Sequence, residues 1–201
     1  MRTLLEIRCQ SRRGPQPSDR LPPLRSRAKR WSNSLSGKWK SVGGWLAAIV
    51  VLDQLTKLIV HRTMALHQSI SIVDGLFNLT YVRNTGAAFG IFAGSAEIFR
   101  RPFLILVSIL ASGFIITLLR RLADGERGLI AALTFILGGA IGNLIDRVFY
   151  GEVIDFLDVY WRNYHWPAFN IADSFITIGV AIALFCLYKH QGADPFAGTQ
   201  T

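Results

Sequence analysis

The sequence predicts a bundle of four membrane-spanning helices with a small antiparallel β-sheet on one side. Three observations carry that expectation. Just over half of the 201 residues are apolar and only 17% are charged. The mean hydropathy is +0.34. Four apolar runs are each close to the length that crosses ~30 Å of hydrocarbon at about 1.5 Å per residue.

The elements follow in order. Residues 1–40 hold 11 of the 22 Lys and Arg but only two of the 13 acids, Glu6 and Asp19. The formal charge of +9 thus belongs to this stretch, and the remainder is neutral. A polyanionic partner such as nucleic acid is therefore not expected. A basic segment ahead of an apolar helix instead marks the cytoplasmic end of a span. The stretch is rich in Arg, Ser and Pro without apolar periodicity, which predicts a disordered tail. An Arg- and Ser-rich leader also fits a transit peptide, or a translation start downstream of Met1.

The body, residues 41–190, is expected to contain helices at about 42–60, 103–119, 129–145 and 172–188. A short tail, 191–201, follows. An inside N-terminus and four crossings return the C-terminus inside. The second connection is then inside as well, where Arg120, Arg121 and Arg127 lie. Between the first two helices, Ile70, Ile72, Phe77, Leu79 and Tyr81 alternate with polar residues, and Asn84-Thr85-Gly86 is a turn signal. This predicts a β segment over about 69–92. Tyr160, Trp161, Tyr164 and Trp166 crowd residues 157–166, as expected of an interfacial segment, here a short helix at the outer face.

Polar residues inside apolar runs need a reason, because intramembrane charge is costly. Asp53 and Lys57 stand four apart on the first helix and fit an ion pair that fixes packing. Gly138 and Gly142 form a G-x-x-x-G pair suited to close helix approach, with Asn143, Asp146 and Arg147 following as a polar cluster. That cluster could support structure or bind substrate. Asp155 lies between large apolar residues just beyond the third helix. Asn170 fits an N-cap of the fourth helix, with Asp173 in its first turn, where complementing the helix dipole is the plain reading.

Topology places Asp155 and Asp173 at the same outer depth. Two carboxylates in one partly dry site share a proton, which is the working state of an aspartic protease. Asp158 and Asp74 are eligible partners on the same grounds. No G-x-S-x-G context surrounds any serine, and the four histidines are scattered. Cys9 lies in the tail and Cys186 in a late apolar run, so no disulfide is expected, and no spacing suggests a metal. A proton-coupled transporter subunit, or a helical assembly module built on G-x-x-x-G, is the alternative function class.

Five blocks in order, Asp53–Lys57, Asn84–Gly90, Gly138–Arg147, Val153–Phe156 and Phe169–Ser174, resemble the motifs of lipoprotein signal peptidase, also called signal peptidase II. The likeness runs from about residue 45 to 188. It implies a cofactor-free, metal-free aspartic endopeptidase of the bacterial inner membrane. Such an enzyme removes prolipoprotein signal peptides, cutting on the N-terminal side of a diacylglyceryl-modified cysteine at the periplasmic interface. It implies Asp155 and Asp173 as the catalytic pair. Asn84, Asn143, Asp146, Arg147 and Asn170 then bind substrate or support the site, and Asp53 and Lys57 match its first-helix motif. Expected partners are lipid-modified signal peptides and membrane lipids, with no nucleic acid, and the enzyme is expected as a monomer. Residues 1–40 are longer than the family's usual start.

Overall fold

A computed structural model describes the backbone of residues 24–86 and 97–189, and the side chains of residues 37–86 and 98–189. Five long elements are α1 (Leu24–Thr63), α2 (Glu97–Arg121), α3 (Arg127–Phe149), α4 (Ile171–Lys189) and strand β3 (Val153–Trp161). Strands β1 (Ser69–Val73), β2 (Phe77–Asn84) and β4 (Tyr164–His165) complete a four-stranded antiparallel sheet in the order β1-β2-β3-β4.

The helices are spanning elements by length and hydropathy: Gly37–Thr63, Ile98–Arg121, Arg127–Phe149 and Ile171–Lys189. Their outward faces hold large exposed apolar side chains, among them Val51, Leu55, Leu110, Phe114, Leu184 and Phe185. Water does not tolerate so broad an apolar belt, and lipid does. Between the helices, Val42, Ile115, Leu119 and Leu137 form a buried cluster.

Glycines set the closest helix approaches. A methyl on Gly138 would meet Ile49 of α1, and one on Gly142 would meet Asp53 of α1 and Ala172 of α4. The expected G-x-x-x-G pair therefore seats α1 against α3. Two further glycines, not singled out from the sequence, serve the α3–α4 contact. Gly139 abuts the Ala172 carbonyl, and Gly179 faces the carbonyl of Ala132.

Three expectations change. Residues 24–40 were expected within a disordered tail, but they form the first part of α1. Beyond Pro22-Pro23 the chain holds no proline until Pro102, and extending an existing helix avoids the cost of nucleating one. Residues 1–23 lie outside the described residues, as do 191–201. The aromatic segment 157–166 is not a helix but the β3–β4 hairpin. Residues 153–159 pair along β2, and strand pairing satisfies their backbone in a way a lone helical turn would not. The second helix starts earlier than expected, at Glu97, and carries Pro102 in its second turn. The last part of the expected β segment, residues 87–92, lies outside the described residues.

The sheet is tied to the helices by a second cluster. Val60 of α1 and Met64, just past its end, pack with Tyr81 of β2 and Ile154 and Phe156 of β3. This contact sets β3, and Asp155 with it, over the C-terminal ends of α1 and α3.

Candidate active site

Asp155 sits near the start of β3, opposite Val82 of β2 across a bulge between Leu79 and Val82. Its side chain is 2% exposed. Asn84, at the end of β2, donates from Nδ2 to Asp155 Oδ2 at 3.1 Å. Asn170 donates from Nδ2 to Asp155 Oδ1 at 2.7 Å.

Asp173 arrives from α4 through a capping box. The Asp173 N–H donates to Asn170 Oδ1 at 2.9 Å, and Asp173 Oδ2 reaches back to the Asn170 N–H at 3.4 Å. Asn170 is the expected N-cap, and the same side chain that starts the helix also holds Asp155. One asparagine thus touches both acids. Asn143 of α3 donates from Nδ2 to Asp173 Oδ1 at 2.8 Å and accepts from Asn170 Nδ2 at 3.1 Å. The two amides have only one workable orientation, since turning either one would set oxygen against oxygen or donor against donor.

The electrostatics of the pair are uneven. Burial foremost, and then the neighbouring Asp173, raise the Asp155 carboxyl from its ordinary value to about 7. Asn84, Asn170 and Lys57 pull it back only in part. Asp173 is partly exposed and lies in the first turn of α4, at the positive end of the helix dipole.

Beneath the acids lies a buried ionic cluster. Lys57 Nζ donates to Asp53 Oδ2 at 2.8 Å, as the i,i+4 spacing suggested. It also donates to Asp146 Oδ2 at 2.9 Å and to Asn143 Oδ1 at 3.0 Å. The expected pair is therefore a triad, with one lysine serving two carboxylates. Gln54 was missed by sequence reasoning. Its Nε2 lies 2.9 Å from Asp146 Oδ1, 3.1 Å from the Gly142 carbonyl and 3.2 Å from Asp53 Oδ2. Its place between Asp53 and Lys57 in the sequence was the available signal.

Arg147 donates from Nη1 to the Asn143 carbonyl at 3.3 Å, while its buried Nε has no hydrogen-bond partner among the described residues. It lies within electrostatic reach of Asp173, Asp146 and Asp155. The other eligible acids are elsewhere. Asp158 accepts from Asn78 at 3.0 Å and meets His165 Nδ1 at 2.9 Å. Asp74 accepts from Ser71 Oγ at 2.6 Å. A cavity of about 160 Å³ lies behind the site, lined by Gln54, Lys57, Leu58, Asp146, Tyr150 and Ile154.

Residues 45–189 match the family model described as signal peptidase (SPase) II. The chain is 58% identical over 142 residues to the lipoprotein signal peptidase of Geobacter sulfurreducens, covering 71% of this chain and 88% of that protein. It is 53% identical over 145 residues to the lipoprotein signal peptidase of Geobacter metallireducens, covering 72% and 88%. Two solved structures of a bacterial membrane enzyme, obtained by the in meso method, superpose with TM-scores of 0.69 and 0.66 at 33% and 32% identity. Each covers 76% of this chain, with 90% and 95% of the solved chains matched. With the family model spanning well over half its length and relatives this similar, the chain belongs to the signal peptidase II family.

Proposed function

We propose that this chain removes the signal peptide from bacterial prolipoproteins, using Asp155 and Asp173 to activate water. The observation that carries the reading is the asparagine bridge. Asn170 holds Asp155 with its side chain and Asp173 through its capping box, so the two acids face one reaction site.

The chemistry follows from the unequal surroundings. Asp155, buried and raised to about 7, is the acid of the pair suited to supply a proton near neutral pH. Asp173, in the first turn of α4, is assigned the part of base. Asp173 takes a proton from water, and the hydroxide oxygen bonds to the scissile carbonyl carbon. Asp155 donates its proton to the carbonyl oxygen as the C=O π bond opens. The C–N bond of the tetrahedral intermediate then breaks. The leaving nitrogen takes the proton from Asp173, and Asp155 regains its own from the hydroxyl as the carbonyl reforms.

Membrane placement fits the substrate. A signal peptide is itself an apolar helix, and a diacylglyceryl chain on its cysteine stays in the bilayer. A site where β3 meets the outer ends of α3 and α4 lets both remain in lipid while water reaches the acids. This reading sets both termini in the cytoplasm, the acids at the periplasmic face, and a single chain as the working unit. Arg147 and Asn84 line the approach, while Asn143, Asp146 and Asn170 hold the acids in place. The transporter and assembly-module alternatives are not favoured by the family assignment.

The test is cleavage of a lipidated prolipoprotein by purified protein. Asp155→Asn and Asp173→Asn should each abolish release of the signal peptide while folding and insertion persist. Asn is nearly isosteric but neither takes nor shares the carboxyl proton. Near-normal turnover by either folded variant removes that residue from the mechanism.

A further inference from the structure

The Lys57 cluster reaches the acids by backbone as well as by side chain. Asp146 Oδ2 accepts the N–H of Ile154 at 3.2 Å, the residue immediately before Asp155. Asp53 Oδ1 accepts the N–H of Ala172 at 2.9 Å, the residue immediately before Asp173. Both carboxylates are gripped by the same ammonium group, at 2.9 Å and 2.8 Å. The third proton of Lys57 goes to Asn143, which donates to Asp173 and accepts from Asn170, the partner of Asp155.

From this wiring we infer that Lys57, with Asp53 and Asp146, is a positioning hub that fixes the separation of Asp155 and Asp173. The inference rests on the dyad reading above. Three arms leave one buried nitrogen. Two end on the N–H groups of the residues that precede the two acids, and the third sets the amides between them. Lys57, Asp53 and Asp146 are 2%, 0% and 0% exposed, so water does not loosen the arms. An ion pair serving packing alone would not need its two carboxylates to end on the two residues that precede the acids. Nothing in the hub touches the reacting atoms, so its members act through geometry.

The pH profile separates geometry from charge. The groups facing the acids are Lys57 from α1, Asp146 and Arg147 from α3, and the neutral Asn84 from β2, with Arg83 and Glu152 paired nearby at 3.7 Å. Two carboxylates held close titrate in two well-separated steps, and the gap shrinks as they move apart. Removing a remote negative charge shifts both steps the same way and leaves the gap unchanged.

The experiment uses the full chain in detergent and lipidated prolipoprotein. Asp53→Asn and Asp146→Asn keep the amide-accepting oxygen but loosen the grip of Lys57. Each should lower kcat at least tenfold with KM within about threefold, and each should narrow the bell-shaped pH profile of kcat/KM. Lys57→Met should do the same more strongly. Should it not fold, as thermal unfolding would reveal, the two Asn variants carry the test. Unchanged kcat in folded variants overturns the inference, as does a parallel shift of both limbs at constant separation. Asp155→Asn and Asp173→Asn run alongside. Were they active, the dyad reading fails. Were they dead while hub variants work normally, only the hub fails.

Discussion

Adding one methyl group at Gly142 should cost the enzyme most of its turnover. An alanine Cβ there would lie 2.5 Å from Asp53 Oδ2, 3.1 Å from Asp53 Cγ and 3.3 Å from the Ala172 methyl. Ordinary contact begins near 3.4 Å, so the carboxylate must retreat by about 1 Å. Asp53 is not free to swing aside, because Lys57, Gln54 and the Ala172 N–H hold it and it is wholly buried. The displacement therefore passes to Ala172 and on to Asp173. A shift of that size at a reacting group costs on the order of 10²-fold in rate. Stability responds less. Overpacking costs roughly 1–3 kcal/mol, and replacing a helical glycine by alanine returns about 1 kcal/mol. Gly142→Ala should thus lower kcat about a hundredfold with a net destabilisation of at most about 2 kcal/mol. Signal-peptide release and thermal unfolding in one detergent measure the two. Turnover within threefold of the parent in a folded variant would refute the chain of contacts from Gly142 to Asp173.

Three further outcomes follow. The carboxyl of Asp155 is raised in the folded state, so its contribution to stability is present at low pH and is lost as pH rises through about 7. The parent should lose roughly a few kcal/mol of stability between about pH 4 and pH 7 from this group, and thermal melts of Asp155→Asn should show a flatter profile; an equally steep decline would place the titrating group elsewhere. Asp158→Asn should leave turnover within a few-fold, because Asp158 is engaged with Asn78 and His165; an inactive, folded variant in the cleavage assay would move the site. Reporter fusions after Lys189 and within residues 123–128 should read as cytoplasmic, and a fusion within 67–74 as outside; a cytoplasmic signal from the last overturns the orientation.

Much of the site was legible because the signals run along single elements. Asp53 and Lys57 announce themselves by i,i+4 spacing, and Asn170 with Asp173 by cap spacing. Hydropathy alone marks the four helices. What could not be read is tertiary. Nothing local says that Asp146, over ninety residues on from Asp53, shares its lysine. Gly139 and Gly179 were passed over because each matters through a carbonyl on another helix, not through a repeat along its own. The β3–β4 hairpin was misjudged because aromatic density reports depth in the interface, whereas helix or strand is decided by which backbone lies alongside.

The capping box that begins α4 has a consequence for biogenesis. Asp173 belongs to the last spanning helix, and its carboxylate is presented only once Asn170 has closed that helix's first turn against Asn143. A chain whose synthesis has reached only α3 lacks Asp173, and one with α4 in place but unpacked lacks the bridge to Asp155. On the proposed dyad, the nascent protein is therefore hydrolytically silent until α4 has packed against α3.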